Sequence, residues 1–284
     1  TPVVTEGLDA PVDLTVDAAG NLYVSQWGNS HCVAVFAPDG KPLRTIGKPG
    51  GRPAIGAYDA NGMILPRGID IDPKGQLWVC EDDNFPRRIS VWNAGSGKFI
   101  REFVGGTTYG ATKGGMIDPK RPHRALSLGV LYEIDLGKES YRPLATMWRR
   151  QYMDQIYPLL GGIYAGWGHN LGFAEHAGQR YITTGGGGIA IIGKWNQDET
   201  WQACAAVGGV FNRGDNEQIL PPEKRTWRMG LSPAFFRKHA GENFVWTDLN
   251  DDGRVQEEEF QWEKQSDDFP CLGLNWGPGG VDAD

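Results

Sequence analysis

The sequence predicts an all-β protein built from repeated four-stranded sheets, and three observations support this prediction. The chain of 284 residues contains 41 glycines and 11 tryptophans, a composition that suits short strands with large aromatic side chains joined by tight turns. Apolar and polar residues alternate with the period of two that β-strands require, as at Leu14, Val16, Leu22 and Val24. The same strand-and-turn pattern recurs further along the chain, which indicates a repeated structural unit.

The clearest repeat relates the segment PVDLTVDAAGNLYVSQ, which starts at Pro11, to the segment PRGIDIDPKGQLWVCE, which starts at Pro66. Asp17 in the first segment matches Asp72 in the second, and a turn glycine follows each of them. Each unit continues with two further strand patterns, so that it contains four strands joined by turns. Four-stranded units repeated in sequence are typical of a β-propeller, in which each sheet packs against its neighbours.

These two units resemble NHL repeats. The resemblance depends on the core P-x-G-I/L-x-V/I-D-x-x-G-x-L-Y/W-V and on the apolar strand that precedes a D-G-K or S-G-K turn. Asn29 and His31 lie near the Asn-His pair of the family, with one residue inserted between them. The second unit has Asn84, but Arg87 stands where the histidine would be. The match covers residues 10–105, and it implies the propeller fold rather than an activity.

Weaker units follow, and we predict a single propeller domain over residues 1–284, with six blades of which the last is incomplete. The final residues resemble the first strand of a sixth blade, whereas the opening segment resembles a fourth strand that lacks the preceding three. The remaining strands would then lie beyond the end of this sequence, in a larger polypeptide, and a five-bladed ring is the alternative. The predicted weaker blades are residues 110–150, 168–208 and 226–265, and the partial blade combines residues 272–284 with 1–8.

The segment DLNDDGRVQEEE, residues 248–259, matches the twelve-residue calcium loop of EF-hand proteins. Acidic and amide side chains occupy positions 1, 3 and 5, a glycine occupies the sharp turn at position 6, and a glutamate closes the loop at position 12. The predicted metal ligands are Asp248, Asn250, Asp252, Arg254 and Glu259, and the predicted cofactor is Ca²⁺. The alternative is an acidic turn that only resembles such a loop.

The position of this loop within the repeat indicates a structural role for the ion. The loop falls where the second strand of a blade turns into the third, and the preceding residues NFVWTD form a strand pattern. It is therefore predicted to be an insert in a β-hairpin rather than part of a helix–loop–helix sensor. A bound ion would hold the hairpin tip in one conformation.

Three connections between blades are long, namely residues 47–66, 149–168 and 208–226. They are predicted to lie on the same propeller face as the calcium hairpin, and such long loops in a compact domain are often functional. Their aromatic and charged side chains suit a carbohydrate or another polar polymer. The alternative is that these loops only cover a wide ring. The predicted ligand-binding residues are Tyr58, Arg150, Tyr152, Trp167, His169, Arg213 and Asp215.

The acidic cluster Glu81, Asp82 and Asp83 lies at another turn between the second and third strands of a blade. It could supply a general base or a second cation site. Ion pairs with Arg87 or Arg88 are the plainer interpretation.

Two further motifs do not predict a functional site. His31 and His169 could face the propeller axis, where some NHL-type lyases hold zinc, but two histidines are too few to predict a zinc site. The glycine run at residues 185–188 is followed by a strand pattern and lacks the lysine of a phosphate-binding loop, so it is predicted to be a hairpin turn.

The composition excludes several classes of function. The formal net charge of −7 does not suggest a nucleic-acid surface. No apolar run reaches the roughly 18–20 residues that a membrane-spanning helix requires. Cys32, Cys80, Cys204 and Cys271 form no CxxC pair, and they could make one disulfide, two or none.

We therefore predict a secreted or periplasmic propeller that Ca²⁺ stabilises and that acts as a binding or scaffold module. The ligand is a small molecule or a polysaccharide, and neither nucleic acid nor a membrane span is expected. The alternative is a propeller enzyme, either a lyase or a hydrolase, that acts on a carbohydrate or a lactone-like substrate at the loop-rich face. The sequence does not decide whether the chain is catalytic.

Overall fold

The structure is a computed structural model, and the residues that it describes form antiparallel β-sheets. One 3-10 turn, Glu257–Glu259, is the helical element among them, and none of them forms a helix long and apolar enough to cross a membrane. The described residues are 2–83, 85–106, 115–127, 129–149, 170–186, 189–209, 238–239, 241–253 and 255–266.

The chain divides into two compact units, which are described separately. The first unit comprises Thr1–Gly110 with Arg142–Leu144, and the second comprises Ala111–Tyr141 with Ala145–Asp284.

The first unit contains two four-stranded sheets, and in each of them the strands follow one another in chain order. A short strand, β5, lies between them in the sequence, and the N–H group of Tyr58, directly after it, donates to the Leu144 carbonyl of the same unit at 2.9 Å. The strands of the first sheet are β1 (Pro11–Val16), β2 (Leu22–Gln26), β3 (Cys32–Phe36) and β4 (Pro42–Ile46), β5 is Gly56–Ala57, and those of the second sheet are β6 (Pro66–Ile71), β7 (Gln76–Glu81), β8 (Arg88–Asn93) and β9 (Phe99–Val104).

An aspartate at the end of the first strand of each sheet organises the turn that follows. The Asp17 carboxylate accepts the backbone N–H groups of Ala19 and Asn21, each at 2.9 Å. Asp72 does the same for residues 74 and 76, also at 2.9 Å. Carboxylates that bond to backbone groups two residues further on favour turns over continued strands. The repeat that the sequence predicts is therefore present as a repeated turn.

The two sheets pack face to face through a shared apolar core. Tyr23 and Val33 of the first sheet lie against Leu77 and Trp92 of the second, and all four are almost completely buried. Burial of each such side chain stabilises the fold by roughly 1.5–3 kcal/mol. The Tyr23 hydroxyl also donates to the Ala94 carbonyl at 3.2 Å, and this hydrogen bond connects the first sheet to the residue that follows β8.

The outward faces of this two-sheet stack also carry apolar side chains. Leu14 and Val16 of β1 are 54% and 50% exposed, and Phe103 of β9 is 49% exposed. Isolated exposed apolar residues are common, but Leu14 and Val16 stand two residues apart and therefore lie on the same face of β1.

The second unit contains a sheet of consecutive strands and a larger sheet of six. The turn after β10 repeats the aspartate turn of the first unit, because Asp118 accepts the N–H groups of Lys120 and Arg121 at 3.0 and 3.2 Å. The strands of the smaller sheet are β10 (Gly115–Ile117), β11 (Arg124–Ser127), β12 (Val130–Asp135) and β13 (Ser140–Thr146). Those of the larger sheet are β14 (Asn170–His176), β15 (Gln179–Gly186), β16 (Ile189–Trp195), β17 (Trp201–Gly209), β18 (Glu242–Thr247) and β19 (Phe260–Lys264).

The six-stranded sheet differs from the predicted division into a blade over 168–208 and another over 226–265. Among the described residues, β18 pairs with β17, with Val245 opposite Val207, so that the two predicted units share one sheet. The predicted first strand of the later blade falls within residues 210–237, outside the described part of the chain.

Candidate functional site

The segment 248–259 connects β18 to β19. These strands pair in antiparallel fashion, and Trp246 stands opposite Phe260 at the base of the connection. The segment is therefore the tip of a β-hairpin, as the sequence predicts. A backbone hydrogen bond from the Asp248 N–H to the Cys204 carbonyl, at 2.9 Å, anchors it to the neighbouring strand β17.

The first half of the hairpin tip is folded around the side chains at positions 1 and 3 of the predicted calcium loop. Asp248 accepts the N–H groups of Asp252 and Gly253 at 3.1 and 2.8 Å, and Asn250 accepts the Asp252 N–H at 3.1 Å. The backbone enters the left-handed region at Asp251 and Gly253, with φ of 61° and 70°. Glycine suits the second position because it adopts this conformation without strain.

Glu259, at position 12, closes the tip and is 5% exposed. Its Oε1 accepts the Leu249 N–H at 3.0 Å, and its Oε2 accepts the Trp246 indole N–H at 2.8 Å and the Gln256 N–H at 3.1 Å. All three donors are neutral. Among the described residues, no lysine, arginine or histidine is paired with this carboxylate. A buried negative charge without a cationic partner is costly in a folded protein.

Gln256 is a residue of the hairpin tip that the sequence analysis did not identify. Its Nε2 donates to Asp252 Oδ2 at 2.8 Å, whereas its Oε1 is buried and has no hydrogen-bond donor among the described residues. An oxygen at position 9 of the loop therefore lacks a partner. In the sequence, only the position of Gln256 in the twelve-residue pattern could have identified this residue.

Asp248 and Asp252 accept hydrogen bonds from donors of the tip itself, and Glu259 also accepts one from Trp246. In the described residues they do not form a compact group of three metal-ligating side chains, and Arg254 lies outside the described residues. Lys194 of β16 bonds to Asp251 Oδ1 at 2.5 Å. This lysine therefore pairs with position 4 of the loop, which is not one of the predicted ligand positions.

Of the predicted ligand-binding residues, Tyr58 is described. Its hydroxyl donates to Glu102 Oε2 at 2.8 Å, and its ring lies under the guanidinium of Arg52, 5.3 Å from the ring centre. Burial raises the pKa of the Tyr58 phenol. The side chain thus links the 47–66 connection to β9. The other predicted residues, Arg150, Tyr152, Trp167, His169, Arg213 and Asp215, lie outside the described part of the chain.

The acidic cluster at 81–83 forms ion pairs. Glu81 Oε1 lies 2.6 Å from Arg88 Nη1, and Glu81 Oε2 bonds to Arg52. Asp83 pairs with Arg52 at 3.2 Å. The ion-pair interpretation is therefore confirmed for Glu81 and Arg88. Arg52 was not predicted as a partner, since it comes from a connection far away in the sequence, and no spacing pattern identifies it.

The same arginines hold the 47–66 connection against the second sheet. Arg88 donates to the Gly62 carbonyl at 2.8 Å and to Glu102 at 2.6 Å, and Arg52 donates to the Gly62 carbonyl at 3.3 Å. In addition, His31 Nδ1 accepts the Leu65 N–H at 3.1 Å, which leaves the proton of the neutral ring on Nε2. Burial lowers the pKa of His31. This long connection is thus an ordered part of the first unit.

Three of the four cysteines lie in the described residues. Cys32, Cys80 and Cys204 are free thiols, and Cys271 lies outside the described residues.

No model of a protein family matches the chain, and no curated protein sequence matches it. Among solved structures, it is similar to a nidogen/laminin complex at 14% identity and a TM-score of 0.29, over 68% of this chain and 63% of that one. It is also similar to the dihydro-heme d1 dehydrogenase NirN at 12% identity and a TM-score of 0.26, over 90% of this chain and 48% of that one. The β-propeller domain of Cps50 (Swd1) from Myceliophteria thermophila matches at 9% identity and a TM-score of 0.26, over 92% and 89% of the two chains.

The chain spans less than two thirds of the first two of these proteins. Similarity at this level says nothing about a shared function.

Proposed function

We propose that the chain is a calcium-stabilised β-propeller module that binds a polar ligand, and that it works in a secreted or periplasmic protein. The observation that supports calcium binding is the buried carboxylate of Glu259. Its described hydrogen-bond donors are neutral, so its negative charge calls for a cation. The ligand class, a carbohydrate or another polar polymer, follows from the aromatic and charged residues in the three long connections.

The propeller part is supported by the way the two sheets of the first unit pack. Their four strands follow chain order, they share one apolar core, and their outward faces still carry apolar side chains such as Leu14 and Phe103. Further sheets on those faces would bury these side chains, as neighbouring blades do in a propeller. The NHL-like sequence pattern agrees with this arrangement.

The hairpin tip suits Ca²⁺ better than other common metal ions. Its candidate ligands are oxygens, from three acidic side chains, one asparagine and one backbone carbonyl, and it offers neither thiolate nor imidazole. Asp248, Asn250, Asp252 and Glu259 would hold the ion, and the unpartnered oxygen of Gln256 lies in the same tip. When bound, the cation would neutralise the tip and cross-link its two halves.

Titration calorimetry tests the calcium site. The wild-type chain, freed of metal with a chelator, should bind about one Ca²⁺ and should bind Mg²⁺ more weakly, since Mg²⁺ demands a more rigid octahedral site. Glu259→Gln should abolish this binding. The exposed neighbour Glu258 provides a matched control, because Glu258→Gln makes the same change of charge and should bind normally. Equal binding by the two variants, or none by the wild type, would refute the site.

The ligand-binding part needs a separate experiment. A panel of neutral, uronic-acid and sulfated polysaccharides, tested for binding and for product release, distinguishes a binding module from a lyase or hydrolase. We expect saturable binding without release of products, weakened by alanine at Trp167 or Arg213. Binding that is unchanged in both variants would show that the long connections do not form the binding surface.

A further inference from the structure

A group of charged side chains in the second unit, here called the arginine cluster, joins the turn after β10 to the turn between β16 and β17. Arg121 Nε lies 2.9 Å from Asp118 Oδ2, and Arg180 Nη1 lies 3.4 Å from the same oxygen. Arg124 bonds to Glu199 Oε1, and Arg121 Nη1 lies 3.7 Å from that oxygen. Two carboxylates are thus shared by three guanidinium groups.

Both oxygens of each carboxylate accept hydrogen bonds. The second oxygen of Asp118 accepts the backbone N–H groups of Lys120 and Arg121 at 3.0 and 3.2 Å. The second oxygen of Glu199 accepts the indole N–H of Trp195 at 2.6 Å.

Two guanidinium nitrogens of the arginine cluster are buried and lack an acceptor among the described residues. They are Arg121 Nη2 and Arg124 Nε. Both guanidinium groups approach the same oxygen of Glu199 through their Nη1 atoms, so the two arginines meet at one carboxylate. Arg180 and Arg121 also lie over the Trp195 ring, at 3.9 and 5.3 Å from its centre, and the ring offers only weak compensation for their charge.

We propose that the arginine cluster binds a small anion of halide size. Three positive and two negative side chains leave one positive charge, and the two unused donors mark where a counter-charge would be held. The side chains of Arg121, Arg124, Arg180 and Glu199 are each 20–30% exposed, so an ion from solvent can reach the arginine cluster. Chloride, the common anion of this size, is therefore the ligand we assign.

Glu133 is the alternative source of negative charge. It stands opposite Arg124 in the pairing of β11 with β12, and it makes contacts of its own. If its carboxylate bonds to the unused nitrogens, an anion is not needed. The experiment must therefore distinguish a bound ion from this side chain.

Bromide provides the direct test, because it replaces chloride and scatters anomalously. Crystals grown in bromide should show an anomalous peak within hydrogen-bonding distance of Arg121 Nη2 or Arg124 Nε. Absence of the peak, with these nitrogens bonded instead to Glu133 or to water, would overturn the proposal.

Melting in solution provides a second measurement. At constant ionic strength, replacing gluconate with chloride should raise the melting midpoint in a saturable way, as expected for a ligand that binds only the folded state. Arg121→Met should lose this response. Arg101→Met, at an exposed arginine of β9, should keep it. The same response in all three proteins would contradict the site.

Discussion

Two buried glutamates at hairpin connections satisfy their charge in different ways. Glu81, the last residue of β7, bonds to Arg52 and Arg88, and all three side chains are almost completely buried. Glu259, directly before β19, is buried to a similar extent, but within the described part of the chain it bonds only to neutral donors. The first glutamate therefore has cationic partners, whereas the described residues around the second provide none. This difference, rather than the acidity of either segment, is the basis of the proposed cation site.

The same comparison concerns the charge partners of the two acidic segments as a whole. An acidic run with arginines folded against it forms an internal ion network, and removal of one partner leaves an uncompensated charge. In the proposed calcium site, the oxygens of the acidic loop would bind the ion in place of the backbone and indole donors. The following predictions change one hairpin at a time.

The largest effect is expected at the first hairpin. Arg88→Met should lower the free energy of unfolding by about 3–5 kcal/mol, because Glu102 loses its ion pair with Arg88 and the buried Glu81 keeps only Arg52 as a cationic partner. Denaturant unfolding measures this loss. Arg101→Met is a control at an exposed position and should change stability by less than about 0.5 kcal/mol. A loss below about 1 kcal/mol for Arg88→Met would show that the network is not stabilising.

The second prediction compares the two glutamates in the presence of a chelator. Glu81→Gln should cost about 3–5 kcal/mol, because it breaks two buried ion pairs. Glu259→Gln should cost about 1–3 kcal/mol, since it disturbs hydrogen bonds from neutral donors only. Chemical unfolding of both variants gives the two values. The reverse order would remove the distinction between the hairpins.

The third prediction concerns the side of the first network that faces the 47–66 connection. Tyr58→Phe should lower the free energy of unfolding by about 1 kcal/mol, because Glu102 loses a hydrogen bond while the ring still packs under Arg52. Thermal unfolding is sufficient to detect this. Tyr141→Phe, at a residue that is 57% exposed, is the control and should have a smaller effect. Equal effects would argue against a buried network at Glu102.

The smallest effect is expected at Lys194. Its ion pair with Asp251 is partly exposed, and such pairs contribute less than about 1 kcal/mol. Lys194→Gln should leave stability in chelator nearly unchanged but raise calcium affinity several-fold, because it removes a positive charge beside the loop. Calorimetric titration measures the change. Lys138→Gln, at another exposed lysine paired with an aspartate, should leave calcium affinity as it is. Weaker calcium binding after Lys194→Gln would instead mean that the lysine positions the loop.

Local features of the fold could be predicted from the sequence, and long-range ones could not. The aspartate turns at Asp17 and Asp72 depend on hydrogen bonds over two to four residues, so the repeat pattern contains all the information they need. The pairing of Arg52 with Glu81 depends on how a long connection folds back, which no local pattern specifies. The pairing of β18 with β17 is likewise a tertiary contact between segments with separate strand patterns.

The candidate calcium site is an intermediate case. Its positions 1, 3, 5, 6 and 12 follow from residue type and spacing, so the loop could be identified from the sequence. The burial of Glu259 against Trp246, the unpartnered oxygen of Gln256 and the lysine at Asp251 depend on neighbouring strands, and they appear only in the folded chain.

The most direct test of the account is the calcium-induced shift in melting midpoint, measured for the wild type, Glu81→Gln and Glu259→Gln. Calcium at 100 times its dissociation constant should stabilise a chain with an intact site by about 2.7 kcal/mol. We expect this stabilisation in the wild type and in Glu81→Gln, which loses stability but keeps the calcium hairpin, and none in Glu259→Gln. A wild-type midpoint that does not respond to calcium, or an equal response in Glu259→Gln, would contradict the claim that a cation balances the second hairpin.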